Sequence, residues 1–409
     1  MKRRDFLASS LAATGAAIGG ALDPFARIAA AADDFADVKI TRVVGFDLLT
    51  RRDKLVGRNS RLDVHGDRSM DRMIRISTSS GVEALGPCRA GEEQVAQLLG
   101  RPALSFFARD ERRMNSPLGR RSTALWDLAG RLLEKPVYEL LGGAGGERVP
   151  VYDGSIYFMD LLPQRADNWR DQLRREIDAA RADGHRAVKV KIGRGKRWME
   201  RAAGDARDIE VVQLIRAHAG QDFAIGVDAN NGYDLAGARR FLSAAGPLKI
   251  AFVEEMFPET VEDCLAMKAF IAEQGWQTKV ADGESQRAPE AFRLFVEAAA
   301  LDVLQGDMKH FGFELILAEA ALAAEKPGIL VAPHNWGSLL GYYMQLHVGR
   351  AIDNFYMAEH DPLKTDVLRA DGYTRRDGYA TVPDRPGLGL AIDEAKFADD
   401  VKINFDLRA

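Results

Sequence analysis

The sequence predicts an α/β fold, a (β/α)8-type barrel that follows an α+β capping domain in the chain. Between residues 148 and 371, eight short apolar runs alternate with stretches of helical periodicity, the repeat expected of such a barrel. Before residue 148, strand-like runs precede helical ones, an order typical of an α+β unit. Charged residues follow most of the eight runs, where barrels of this kind carry their chemistry.

The composition is that of a protein with a large buried core. The chain has 409 residues, of which 46% are hydrophobic and 28% are charged, and its formal net charge is −4. These values exclude disorder for most of the chain and capture of nucleic acid by net positive charge. Two cysteines, Cys88 and Cys264, cannot form a disulfide framework, and no group of cysteines and histidines has the spacing of a structural zinc module.

Residues 1–32 are predicted to be a twin-arginine export signal. Arg3 and Arg4 form the pair, a weakly apolar Ala/Gly-rich run follows, and Ala29 to Ala32 offer a small-residue cleavage region. A frayed basic terminus is the alternative. Because the apolar run is too short and too weakly hydrophobic for a membrane span, we expect export by the twin-arginine machinery and a periplasmic mature protein without a membrane segment.

Residues 35–147 are predicted to form the capping domain. Segments 38–46 and 73–78 alternate apolar and polar residues, so we expect antiparallel strands joined by a long loop. Segments 123–133 and 136–141 have helical patterns. The polar loop between the two strands should shape the pocket and carry specificity, with Arg58 and His65 as substrate-binding candidates.

The barrel is predicted over residues 148–371. A doubly wound sheet is the alternative, but no Gly-x-Gly-x-x-Gly follows the first run. Residues 372–409 are rich in Gly, Pro and Asp and should return to the cap. The eight runs predicted to be barrel strands are 149–152, 187–192, 224–228, 250–254, 278–284, 301–305, 329–332 and 355–359.

Lys189 and Lys191 are two positions apart on the second run, so they share one face of the strand. Because Val188 and Val190 suit the helix-facing side, both lysines should point into the barrel. We expect each charge to lower the pKa of the other lysine, which would prepare a base. Two lysines on an exposed edge strand are the alternative.

Three carboxylates end successive runs: Asp228, Glu254 and Glu284. Their separations of 26 and 30 residues each correspond to about one strand–helix unit. Three inward carboxylates need a cation, and an all-oxygen set suits Mg²⁺. Helix N-caps or surface acids are the alternative for each residue alone.

Asp307 and His334 follow adjacent runs, so the carboxylate can accept a hydrogen bond from the imidazole and raise its basicity. A structural histidine is the alternative. Glu359 ends the eighth run and could donate when protonated or orient a substrate hydroxyl. Asn230 and Trp336 are further candidates for substrate binding.

As an ordered set, these strand ends resemble the enolase superfamily, mandelate racemase subgroup, over the chain from about residue 38. The residues that carry the resemblance are Val188-Lys189-Val190-Lys191, Val227-Asp228-Ala229-Asn230, Val253-Glu254-Glu255, Ala281-Asp282-Gly283-Glu284, Leu304-Gln305-Gly306-Asp307 and Pro333-His334.

The resemblance implies Mg²⁺ on Asp228, Glu254 and Glu284, one acid/base at Lys191 with Lys189 beside it, and another at the His334–Asp307 dyad. It implies removal of the proton α to a carboxylate through an enediolate, and favours dehydration of a sugar acid. The alternatives are a racemase, epimerase or cycloisomerase, a periplasmic carboxylate-binding protein without activity, and a metal-dependent hydrolase, which an all-carboxylate set disfavours. We expect a small-molecule carboxylate as substrate and a homo-oligomer as the assembled state.

Overall fold

The computed structural model describes residues 24–108, 114–119 and 122–409. The predicted arginine pair of the export signal, Arg3 and Arg4, lies outside the described residues. The elements up to residue 147 are α1 Pro24–Ala31, β1 Ile40–Val56, β2 Gly66–Thr78, β3 Glu83–Pro87, α2 Glu92–Ala96, α3 Thr123–Leu132 and α4 Val137–Leu140.

The barrel elements confirm the predicted fold class. They are β4 Arg148–Ile156, α5 Trp169–Ala182, β5 Ala187–Lys191, α6 Arg201–Ala219, β6 Ala224–Asp228, α7 Leu235–Ala245, β7 Ile250–Glu254, α8 Val261–Glu273, β8 Lys279–Asp282, α9 Arg293–Glu297, β9 Val303–Leu304, α10 Met308–Ala324, β10 Leu330–Val331, α11 Leu339–Ala351 and β11 Ala358–His360. The remaining elements are β12 Leu368–Arg369, β13 Thr374–Arg376, β14 Tyr379–Thr381, β15 Ala391–Ile392, α12 Glu394–Asp400 and β16 Lys402–Arg408.

The barrel closes through parallel pairing of neighbouring strands. Strands β4 to β10 lie side by side in chain order, and β11 pairs with β4. A bridge from Val331 to Phe355 joins β10 to the segment before β11. Strand β11 is followed by the short strand β12 and the hairpin β13–β14 rather than by a helix, and β14 pairs antiparallel with β4. All strand carboxyl ends therefore meet at one mouth.

The cap is a four-stranded antiparallel sheet in the order β16-β1-β2-β3. The prediction of a long loop between residues 46 and 73 was wrong. Strands β1 and β2 continue to pair there, from Arg51 with Arg68 to Val56 with Gly66. The polar residues belong to the far end of this hairpin, which extends beyond the cap core and so loses the apolar alternation. Only residues 57–65 are left to form the turn.

Helix α1 packs on the cap, although residues up to 32 were expected to form the export signal. Ile28 is fully buried, and the Phe25 ring lies 5.4 Å from the Trp126 indole in an edge-on contact. None of the helices in the described residues has the length and apolar character that a bilayer span requires.

Candidate active site

The three predicted metal ligands converge at the barrel mouth. One carboxylate oxygen each from Asp228, Glu254 and Glu284 lies within 4.8 Å of the others, a spacing that one cation can bridge. Asp228 and Glu254 end β6 and β7, which pair in register at these two residues. Glu284 follows Gly283, whose φ of +130° turns the chain after β8. Parallel register is therefore what brings the three acids together.

Opposite charges meet at the cluster, because Lys189, Lys191 and His334 each lie within ion-pair distance of one of its acids. Burial and the neighbouring Asp228 raise the pKa of Glu254 to about 8, although Lys189 opposes them. The Glu284 Oε2 atom is buried and has no hydrogen-bond partner. A set of three carboxylates that offers only oxygen ligands is suited to a hard divalent cation such as Mg²⁺.

Both lysines of β5 point into the barrel, as expected. Lys189 Nζ lies 2.7 Å from Glu254 Oε1, 2.9 Å from Glu359 Oε1 and 3.4 Å from Asp228 Oδ2. Lys191 Nζ contacts Asp228 Oδ2 and lies over the Tyr157 ring, 5.2 Å from its centre. Lys189 is thus held among carboxylates deep in the barrel, whereas Lys191 lies nearer the mouth.

The expectation of lysines with lowered pKa was wrong for both residues, because the pKa of Lys189 and that of Lys191 are raised, although Lys189 does oppose the rise at Lys191. Burial lowers the pKa of Lys191, but the attraction of Asp228 and Tyr157 outweighs burial and repulsion by Lys189, so the pKa is raised. The sequence pattern showed the like charges on one strand but not the distance to Asp228. A cation on that carboxylate would compete with Lys191 for it and lower this pKa.

His334 forms the expected dyad with Asp307. Its Nδ1–H donates to Asp307 Oδ2 at 2.7 Å, while Nε2 lies 3.1 Å from Glu284 Oε2, a close approach that is not a hydrogen bond. Burial lowers the pKa of His334, but Glu284, Asp307 and Glu359 raise it to about 9. Asp307 also caps α10 by accepting from His310 N, which fixes the carboxylate.

Glu359 is fully engaged within the barrel. Its Oε1 contacts Lys189, its Oε2 accepts from Asn335 N at 2.9 Å, and its Oε2 lies 4.0 Å from His334 Nε2. These contacts position the segment after His334 and leave Glu359 little freedom to orient a substrate. Gln305, which we did not single out from the sequence, donates from Nε2 to Glu254 Oε2 at 2.6 Å.

Aromatic side chains form a wall beside Lys191. The Trp336 indole stacks on the Tyr157 ring with centroids 4.7 Å apart, and its Nε1–H donates to His65 Nδ1 at 3.1 Å. Burial, with Lys191 and Arg52 nearby, lowers the pKa of His65 to about 4, so its ring is neutral at pH 7. Two predicted substrate-binding residues therefore meet here, together with Tyr157. The sequence missed Tyr157 because β4 continues beyond residue 152.

Two other predicted substrate-binding residues lie in different surroundings. Asn230 adopts a φ of +43°, and its amide donates to Glu255 Oε2 at 2.8 Å. The side-chain oxygen Oδ1 of Asn230 is buried and has no hydrogen-bond partner. In the sequence, Asn230 lies two residues after Asp228. Arg58 lies farther out, paired with Asp63 at 2.7 Å and placed over the Trp198 ring.

Cap residues contact the barrel segment that follows His334. The Arg52 guanidinium lies 4.6 Å from the Trp336 ring centre and makes two hydrogen bonds, of 2.6 and 2.5 Å, to Asp361. A separate cavity of about 230 Å³ lies between cap and barrel, and its lining includes Asp71, Arg72 and Lys309. None of the three clustered carboxylates lines that cavity.

A second group of potential ligands lies elsewhere: Asp183, His185 and His360. The two imidazoles already hydrogen-bond each other at 3.2 Å, and Arg375 Nη1 lies 3.4 Å from His360. A guanidinium so close disfavours a cation at this place.

Known proteins resemble this chain over most of its length. The family described as Enolase C-terminal domain-like matches residues 172–396. A 3,6-anhydro-alpha-L-galactonate cycloisomerase of Streptomyces coelicolor is 30% identical over 270 residues, which are 66% of this chain and 68% of that protein.

Two solved structures share the fold. A mutant galacturonate dehydratase from Geobacillus sp., complexed with Mg, has a TM-score of 0.83 and 27% identity, with 91% of this chain and 98% of that chain covered. A mandelate racemase/muconate lactonizing protein from Geobacillus sp., complexed with magnesium and tartrate, has a TM-score of 0.82 and 30% identity, with 89% and 95% covered.

Proposed function

The chain belongs to the enolase superfamily, and on that premise we propose that it is a Mg²⁺-dependent dehydratase of a sugar acid. The reaction would remove the proton α to the carboxylate and then the β-hydroxyl, giving a 2-keto acid and water. The galacturonate dehydratase is a sugar-acid dehydratase similar to this chain in both sequence and fold. Its complex with Mg supports the choice of metal.

Asp228, Glu254 and Glu284 would hold the Mg²⁺. The fit rests on their shared spacing and on the absence of histidine or cysteine from this oxygen set. Bound Mg²⁺ supplies positive charge that stabilises the enediolate as it forms. Lys189 would add fixed positive charge behind the carboxylates, since it is buried among them.

Lys191 would take the α-proton on its Nζ. It is the lysine nearer the mouth, and its contacts with Asp228 and the Tyr157 ring hold the amine beside the metal ligands. For this step the amine must be neutral, so the lysine has to release its own proton before it accepts one. Loss of the Asp228 contact to a cation favours that neutral form.

His334 would protonate the departing β-hydroxyl from Nε2, so that the C–O bond breaks and water leaves. Its Nδ1–H is held by Asp307, which fixes the ring and leaves Nε2 to face the substrate side. Glu284, Asp307 and Glu359 raise the pKa of His334 and so favour the protonated ring that this step needs, and Mg²⁺ on Glu284 would oppose part of that rise. His65 and Trp336 would contact the substrate from the aromatic wall.

The observation that carries this proposal is that Lys191 and His334 each approach a different carboxylate of one cluster, Asp228 and Glu284. The test is incubation with hydroxy acids and acid sugars in D₂O with Mg²⁺. We expect a keto acid from at least one sugar acid. Absence of both product and α-deuterium exchange on every compound would contradict the proposal.

A racemase, epimerase or cycloisomerase is the second candidate, supported by the similar cycloisomerase. The two groups would then exchange a proton at the same carbon or close a ring, and the hydroxyl would stay in the product. Deuterium at the α-carbon without a keto acid would identify this outcome. A carboxylate-binding protein would retain the ligand and show neither change.

We also propose export by the twin-arginine route to the periplasm. Support comes from Arg3, Arg4 and the small residues from Ala29 to Ala32. Because such export carries folded proteins, the metal could be loaded before export. A homo-oligomer remains our expectation for the assembled state.

A further inference from the structure

The segment between His334 and α11 is held by the cap through polar contacts. Ser69 Oγ donates to Gly337 O at 2.7 Å, and Asp71 Oδ2 accepts from Leu339 N and Leu340 N at 3.0 and 3.2 Å. Both cap residues belong to β2. They bind the backbone of the segment directly, so its path depends on where the hairpin lies.

A further contact between cap and segment runs through a buried ion pair. Arg52, on β1, makes a two-pronged bond to Asp361, and the side chains are 2% and 0% exposed. Asp361 Oδ2 also accepts from Gly337 N at 2.9 Å. The carboxylate therefore links the cap guanidinium to the backbone three residues after His334, and the same guanidinium lies over the Trp336 ring.

The barrel contributes a second hydrogen bond of this kind from a residue of β11, the strand that Asp361 follows. Glu359, two residues before Asp361, accepts from Asn335 N at 2.9 Å. The backbone amides on both sides of Trp336 thus donate hydrogen bonds to Glu359 and Asp361, which lie two residues apart. Only the Asp361 carboxylate is in turn held by a cap residue, because Glu359 pairs with Lys189 inside the barrel.

We propose that Arg52 and Asp361 are positioning residues through which the cap hairpin sets the placement of His334 and Trp336. Neither is assigned contact with substrate; they act through the 335–340 backbone. This inference rests on the proposed function for its kinetic consequence, whereas its structural consequence is independent of any activity. A shift of about 1 Å in a catalytic group can cost on the order of 10²-fold in rate.

The first test measures amide hydrogen exchange of the full chain with Mg²⁺ present. We expect Arg52→Gln and Asp361→Asn to speed exchange in the peptide that contains Gly337, while peptides of β6 and β7 keep their protection. Arg51→Gln is the matched control, because Arg51 precedes Arg52 but pairs with Asp366 at an exposed position. Unchanged exchange at Gly337 in both variants would overturn the inference.

The second test separates the two proton transfers. Since Lys191 lies on a different strand, we expect α-deuterium exchange by Arg52→Gln to stay near that of wild type, while dehydration falls by about 10²-fold. Equal loss of both steps, or loss of neither, would overturn the positioning role. Arg52→Lys keeps one charge but not the two-pronged bond, and we expect it to recover dehydration only in part.

The two hypotheses fail differently. If wild type neither exchanges nor dehydrates any sugar acid, the proposed function fails while the amide-exchange result still tests the link through Asp361. If wild type is active and the variants dehydrate normally, only the positioning inference fails.

Discussion

His334 Nε2 lies 3.1 Å from Glu284 Oε2, so a group expected to transfer a proton touches a residue expected to bind the metal. The contact joins β10 to β8 across the mouth of the barrel. It ties the position of the acid to that of the cation site, and it explains why Glu284 heads the charges that raise the pKa of His334.

Metal binding should stabilise the protein through the carboxylate cluster. At a concentration of 100 times Kd, Mg²⁺ should raise the free energy of unfolding by about 2.7 kcal/mol. Glu284→Gln should lower the affinity for Mg²⁺ by more than the roughly 10–100-fold that removal of an outer-shell partner causes. Calorimetry and thermal unfolding with and without EDTA measure both effects. Glu290→Gln, at an exposed position nearby, is the control and should bind Mg²⁺ like wild type.

Lys191→Ala and His334→Ala should each abolish measurable turnover and leave Mg²⁺ binding nearly intact. Asp307→Asn should lower kcat by about 10²–10⁴-fold, the range for loss of acid–base catalysis, because the His334 ring loses its fixed acceptor. Steady-state kinetics with the identified substrate check the three variants. A wild-type rate from any of them would exclude the assigned role of that residue.

The Arg52–Asp361 pair should matter for stability as well as position. Removing one partner of a buried ion pair costs about 3–5 kcal/mol, so Arg52→Ala should lower the free energy of unfolding by that amount. Arg51→Ala should cost less than about 1 kcal/mol, because its pair with Asp366 is about 60% exposed. Urea unfolding with Mg²⁺ present distinguishes the two adjacent arginines. Equal losses would contradict the assignment.

Acid should destabilise the protein partly through His347. Burial lowers the pKa of this imidazole from 6.5 to about 3, so below pH 6.5 the unfolded chain binds a proton that the folded chain does not. Stability is therefore lost as pH falls from 6.5 towards 3, by about 2 kcal/mol between pH 6.5 and 5.

His347→Gln should remove that part of the pH dependence, since glutamine does not titrate. Urea unfolding at pH 7 and pH 5 gives the difference. His218→Gln, at a surface contact with Asp178, is the histidine control. If both variants keep the wild-type slope, His347 is not the titrating group.

Export should depend on the paired arginines. We expect Arg3→Lys combined with Arg4→Lys to keep the protein in the cytoplasm, whereas wild type reaches the periplasm. Cell fractionation and mass spectrometry of the exported chain measure location and the cleavage position together. A mature terminus beyond Ala31 would mean that α1 is removed, and one before Pro24 would mean that it stays on the cap.

Much of the site follows from the sequence because it obeys two periodicities. Alternation along β5 gives the direction of Lys189 and Lys191, and the repeat of strand and helix puts Asp228, Glu254 and Glu284 at one end. Each inference needs only the local pattern and the closure of the barrel. The order of the strand ends was sufficient to indicate the dyad at Asp307 and His334 as well.

Other features depend on contacts that no local pattern carries. Arg52 and Asp361 are 309 residues apart, and neither lies in a motif. The raised pKa of Lys191 comes from its distance to Asp228, which is set by side-chain packing across two strands. Tyr157 was missed because the sequence pattern at the start of β4 does not indicate the residue at which that strand ends.

The pairing of β1 with β16 has a consequence for synthesis. Arg42 lies opposite Arg408, so a strand that is made before the barrel finds its neighbour only after the barrel has been made. The cap sheet must stay incomplete while the ribosome builds the barrel, and the exposed edge of β1 is then open to wrong partners. Removal of β16 would leave that edge permanently uncovered.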